Sequence, residues 1–114
     1  MSAKQKLAEA NARAAVLYKA DGKTMSAFRG LMAAASREGR LGPAIKEMIA
    51  LAVAIGRGCE DCIIFHTAEA KTHGASRDEF IEVLAIAIEM SGGPGTVYAA
   101  KALAAFDELD GGPS

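Results

Sequence analysis

Tryptophan is absent, cysteine occurs twice and proline three times, and the aromatic share is 5%. Neither sign of charge is in excess: 13 Lys plus Arg stand against 14 Asp plus Glu, a net charge of -1. With no basic stripe interleaved with aromatics, nucleic acid is not an expected partner. No apolar run reaches membrane-spanning length, since the longest, "MIALAVAIG", is roughly half of the ~20 residues required. The opening "MSAKQKLAEANARAAVLYKADG" is interrupted by charge throughout and lacks the apolar centre of a signal peptide. A cytoplasmic location, away from membranes, is therefore expected. In that compartment two cysteines are better read as reactive or metal-binding than as a permanent staple.

Apolar residues make up 51% of the 114-residue chain. That length suits one domain with a modest core, and many of the apolar residues are alanine. Leu7, Ala10, Ala14, Leu17 and Tyr18 recur with helical period. "DGKT" (Asp21 to Thr24) breaks this first helix, with Thr24 as a cap for the second. Met25, Phe28, Leu31, Met32 and Ala35 form the stripe of that second helix, of which Met25, Phe28 and Met32 read as core rather than pocket. Gly39 and Gly42 end it, and Pro43 suits the first position of a third helix. The third helix, "PAIKEMIALAVAI", is apolar on nearly all sides after Glu47 and is expected to be central. "GRG" (Gly56 to Gly58) stops it. A fourth helix runs from about Cys59 to Lys71, and His73 before Gly74 reads as a cation-tolerant helix end. "SRDE" (Ser76 to Glu79) has capping-box spacing and starts a fifth helix. A sixth runs from about Pro94 to Leu109. The expectation is an all-α single domain of about six helices over residues 1–110, with 111–114 a frayed tail. The apolar third and fifth helices are hard to hide in so small a monomer, which points to a homo-oligomer.

"GCEDCIIFH", residues 58–66, concentrates the chemistry. On one helix Cys59, Cys62 and His66 fall within roughly 60° of each other, and Cys62 and His66 are i,i+4 neighbours. Three effects favour a thiolate here: the helix N-terminus, the imidazole, and Arg57 if its side chain turns inward. The carboxylates of Glu60 and Asp61 oppose them. Glu47 is the fourth candidate, because an antiparallel hairpin of helices three and four would bring it toward His66, to orient the ring. The chemistry that follows starts with Cys62, primed by His66, attacking a hydroperoxide to become a sulfenic acid. Cys59 then condenses with it to a disulfide, and an external dithiol restores both thiols. The reverse assignment, with Cys59 attacking, stays open.

Other readings of these residues compete. The two cysteines could be small hydrophobes. Two Cys, a His and a Glu could supply four zinc ligands, but i, i+3 and i+7 on one helix is not the loop-borne arrangement of most structural zinc sites. A thioredoxin-like motif would require strands, which the helical stripes argue against. A redox sensor, or a general disulfide oxidoreductase without peroxide turnover, is the functional alternative.

The segments "KEMIALAVA", "CEDCIIFH", "HGASRDEFIEVL" and "GGPGTVYAA" resemble, in order and spacing, the carboxymuconolactone decarboxylase / alkylhydroperoxidase D-like superfamily. Glu47, Cys59, Cys62 and His66 match the Glu, Cys-X-X-Cys and His positions of its peroxidase branch. The resemblance implies an all-α fold around a central helical hairpin, assembled as hexamers or, next, trimers. It also implies antioxidant hydroperoxide or disulfide chemistry, no metal or organic cofactor, and dithiol carriers such as lipoyl domains as reductants. The full-length alkylhydroperoxidase D type has two related halves, and this chain resembles the small single-repeat members. That type also carries a histidine just before its second cysteine, where this chain has Asp61. The decarboxylase branch lacks the cysteine pair, which argues against lactone decarboxylation.

Overall fold

The computed structural model describes residues 1–109, so the segment expected to fray lies outside the described residues. Those residues form six helices: α1 (Ala3–Ala20), α2 (Gly22–Ser36), α3 (Pro43–Arg57), α4 (Glu60–Thr72), α5 (Arg77–Ser91) and α6 (Gly93–Glu108). Among the described residues there is no strand, as helical periodicity predicts.

Local chemistry sets the boundaries. Ser2 and Gln5 close a capping box at the start of α1, and Ser76 and Glu79 close the expected one at α5. Pro43 is the first residue of α3, where its missing N–H costs nothing. One expectation is corrected. The cap of α2 is Asp21, whose side chain accepts the Thr24 N–H at 3.1 Å. Thr24 is thus the capped residue; an Asp preceding the first turn competes better because its charge also suits the helix dipole.

The core lies among α3, α4, α5 and α6. Leu51 and Ile55 of α3, Ile63 of α4, Phe80 and Leu84 of α5, and Ala102 and Phe106 of α6 are all buried in one cluster. The Phe80 and Phe106 rings pack with centroids 4.6 Å apart. Each such leucine, isoleucine or phenylalanine contributes about 1.5–3 kcal/mol on leaving water. The many alanines let helices approach closely, and Gly95 leaves no room for a side chain against the end of α5. A Cβ there would sit 2.8 Å from the Ser91 Cβ.

α3 is central on one face only. Met48, Leu51, Ala54 and Ile55 are buried, while Ile45, Ile49 and Val53 are exposed. α1 and α2 contain no buried residue at all. The stripe read as core in α2 is therefore not core in this chain: Phe28 is 54% exposed, Met25 is half-buried, and Met32 lines a groove described below. Helical period shows that one face is apolar, but not what covers it. α1 is held by Ala3 and Leu7 against Ile64, Ala68, Ala105 and Leu109. The Glu108 carboxylate also accepts the Ala3 N–H at 3.0 Å, capping α1 from α6.

Candidate functional site

The turn between α3 and α4 builds the site. Gly58 adopts φ 69°, the left-handed conformation that a side chain disfavours. Its N–H bonds the Ile55 carbonyl and the Cys59 N–H bonds the Ala54 carbonyl, both at 3.1 Å. This Schellman pair ends α3 and reverses the chain at once. A Cβ on Gly58 would lie 3.3 Å from the Tyr98 hydroxyl, so the α6 ring closes the turn from behind.

The reversal makes Cys59 the N-cap of α4. Its Sγ accepts the Cys62 N–H at 3.3 Å and is joined to Cys62 Sγ in a disulfide, with Cα atoms 5.3 Å apart. In the reduced form, the same N–H groups and the helix dipole would favour negative charge on sulfur. Cys62 is exposed and Cys59 half-buried, so the sulfur assigned to attack is the more accessible one.

The two carboxylates between the cysteines do not act unopposed. Glu60 is bridged by Lys101 at 2.6 Å and Lys6 at 3.0 Å, and Asp61 by Arg13 at 2.8 Å. Lys101, then Lys6, hold the Glu60 carboxyl below its ordinary range against a small opposing effect of burial. The cations of α1 and α6 thus offset the negative charge expected to resist thiolate formation. Arg57, considered as a thiolate partner, instead lines a separate cavity of about 710 Å3 with Val53, Met90 and Tyr98.

The hairpin of α3 and α4 brings together the other two sequence-derived residues. Glu47 Oε2 and His66 Nδ1 are 2.7 Å apart, with side chains 15% and 23% exposed. Phe65 stands edge-on beside the imidazole, ring centroids 5.0 Å apart. Glu47 and His66 open onto a groove of about 620 Å3, walled by Met32 of α2, Ala50 of α3 and Phe65 of α4. Lys46 fixes the α2 wall by donating to the Ala35 carbonyl at 3.1 Å.

Glu69 also lines this groove, and sequence reasoning did not single it out. Burial, then the Glu47 carboxylate, push its carboxyl above the usual range, while His73 and His66 pull it back. The available signal was its spacing, three residues after His66 and four before His73. His73 caps α4, as its position suggests, but it also lines the groove, with Nε2 3.8 Å from Glu69 Oε2. Among the described residues no cluster of three or more His, Cys, Asp or Glu is placed to hold a metal ion. No described helix is long and apolar enough to cross a membrane.

The sequence profile of the carboxymuconolactone decarboxylase family matches residues 22–105. An uncharacterised protein of Cupriavidus necator is 51% identical over 107 residues, covering 94% of this chain and 95% of its own. An uncharacterised protein of the cox locus in Paracoccus denitrificans is 38% identical over 85 residues, covering 75% and 77%. A crystal structure of a carboxymuconolactone decarboxylase family protein from Legionella pneumophila, in its apo form, superposes with a TM-score of 0.90. It shares 36% identity over 93% of this chain and 95% of that one. A Thermotoga maritima member of the same family, for which involvement in an antioxidative response has been suggested, gives a TM-score of 0.81 at 28% identity. It covers 91% of this chain and 89% of its own. In sequence over most of its length, and in fold, this chain belongs to the carboxymuconolactone decarboxylase family.

Proposed function

We propose that this protein is a thiol-dependent hydroperoxide reductase whose redox centre is the Cys59–Cys62 pair and whose acid–base group is His66, oriented by Glu47. The observation that carries this reading is the Glu47–His66 hydrogen bond of 2.7 Å, with His66 one turn beyond Cys62 on the helix that Cys59 caps. The antioxidative role suggested for the Thermotoga maritima relative supports the same reading.

The cycle balances in three steps. His66 takes the Cys62 thiol proton, and the thiolate attacks the distal hydroperoxide oxygen. The S–O bond forms, the O–O bond breaks, and the alkoxide leaves as an alcohol with the proton from His66. Cys59 then attacks the sulfenic sulfur; the S–S bond forms, the S–O bond breaks, and water leaves carrying the Cys59 proton. An external dithiol returns two electrons by thiol–disulfide exchange and is itself oxidised. No metal or organic cofactor enters this scheme. The reductant is a dithiol, such as a lipoyl group on a protein carrier, and the working form is a homo-oligomer that covers α1 and α2.

The test is hydroperoxide consumption with a dithiol donor, with a sulfenic-acid trap applied to Cys59→Ser and Cys62→Ser. Steady turnover, with adduct on the variant that keeps Cys62, supports the reading. Adduct only on the variant that keeps Cys59 reverses the two sulfurs. A single stoichiometric oxidation without turnover makes the protein a redox sensor instead.

A further inference from the structure

Cys62, His66, Glu69 and His73 follow one another along α4 and its cap at steps of four, three and four residues. At about 100° and 1.5 Å per residue they share a stripe about 60° wide and roughly 16 Å long. The stripe begins at the disulfide and ends at the solvent-facing helix terminus. Between the exposed Cys62 and the exposed His73 the middle of the stripe is half-buried. The Glu47 side chain that clamps the inner imidazole is 15% exposed, His66 23%, Glu69 20% and His73 41%. Glu69 and His73 form a carboxylate–imidazole pair at 3.8 Å, repeating the Glu47–His66 pair two turns further out.

We infer that Glu69 and His73 are positioning residues that pass protons between the Glu47–His66 pair and solvent. This rests on the function proposed above, and it supplies something that cycle requires. During re-reduction the donor dithiol attacks as a thiolate, having lost its protons to bulk water. The S–S bond breaks and the two cysteine sulfurs leave as thiolates, so two protons must come back from solvent. His66 is 23% exposed and its Nδ1 is committed to Glu47, while the Glu69–His73 pair on the same stripe ends at the more exposed His73, 41%, which gives the inner pair a route to solvent.

The groove sets four charged or titratable side chains around Glu69. From α3 it shares the groove with Glu47 and Lys46, the latter donating to the carbonyls of Ala35 in α2 and of Arg37 just beyond it; from α4 and its cap it shares the groove with His66 and His73. The α2 wall contributes Met32, Ala35 and Ser36, with nothing that titrates. Burial and the Glu47 carboxylate both favour the protonated form of Glu69, and the two imidazoles favour the ionised form. A carboxyl balanced in this way can both give and accept a proton.

The experiment follows single-turnover reduction of the Cys59–Cys62 disulfide by dithiothreitol across pH, in wild type, Glu69→Gln, Glu69→Asp and His73→Gln. Glu69→Gln should slow the step by about 10-fold or more, a modest share of what a positioned proton-transfer group supplies. Its rate should rise with imidazole buffer concentration while the wild-type rate does not, and Glu69→Asp should recover most of the loss. His73→Gln, at an exposed position, reads the outer end even if Glu69→Gln fails to fold, and should show the same buffer rescue. Wild-type pH profiles in both Gln variants, or losses that buffer cannot rescue, overturn the inference. Because no peroxide is used, a wild type that fails to reduce hydroperoxides would sink the proposed function without deciding this measurement.

Discussion

Glu47 holds His66 by Nδ1 across the α3–α4 hairpin, at 2.7 Å. This commits one ring nitrogen and leaves Nε2 as the one not engaged by Glu47. It also ties the ring's orientation to the packing of the two helices, since Met48 and Leu51, beside Glu47, are buried in the core.

Removing either partner should therefore damage the same step. His66→Ala and Glu47→Gln are each expected to slow peroxide-driven thiol oxidation by about 10²-fold, the lower end of a general acid–base contribution. The double variant should lose little more than either single one, because the two act as a unit. Stopped-flow thiol oxidation in folded variants measures this, and unchanged rates would remove the relay.

α1 is fastened in part by ionised groups at the surface. Glu108 accepts the Ala3 and Lys4 N–H groups, and Glu60 and Asp61 hold Lys6 and Arg13. The Ala3 N–H holds the Glu108 carboxyl below its ordinary value, and Lys101 with Lys6 do the same for Glu60. A carboxyl depressed in the folded state stabilises fully above its unfolded value, and that contribution is lost as pH falls through the folded value. The protection of α1 amides, measured against intrinsic exchange, should fall below about pH 4.5, near the ordinary glutamate range, and also with added salt, while the α3–α6 core stays protected. Protection in α1 indifferent to both would contradict this.

Gly95 packs against the last turns of α5 with no room for a side chain. A methyl group there would meet the Ser91 Cβ at 2.8 Å and the Ala87 carbonyl oxygen at 3.4 Å. Gly95→Ala is expected to cost about 1–3 kcal/mol through overpacking, despite the better helix propensity of alanine. Adding Ser91→Gly should recover part of that loss. Denaturant midpoints of the two variants decide the matter, and a stabilised Gly95→Ala would refute the clash.

Phe28 and Leu31 of α2, Val53 of α3 and Met90 of α5 are 54%, 63%, 57% and 79% exposed. Two helices with no buried residue, together with these side chains, leave apolar groups uncovered in the single chain, and exposed apolar patches commonly mark interfaces. Light scattering should give a multiple of the 11.8 kDa chain mass. Leu31→Glu or Val53→Glu should lower it, because a buried charge disfavours association. A wild-type monomer at micromolar concentration would rule the oligomer out.

The sequence by itself determined the local features. Helical period, Pro43, the Ser76–Glu79 capping box and the glycine punctuation located five breaks and six helices, because these signals act within a turn or two of chain. Cys59, Cys62 and His66 were legible as one cluster because they share a helix, where spacing alone fixes relative direction. Glu47 was legible only on the assumption of a hairpin, and the packing of α3 against α4 made it a partner at hydrogen-bond distance. Whether the stripe of Met25, Phe28 and Met32 was core depended on what lies across from it, and tertiary structure left that stripe largely uncovered in the single chain. Glu69 was hidden for a related reason. Its half-burial and its coupling to Glu47 arise from a second helix about twenty residues away in sequence, and no periodicity within α4 could report them.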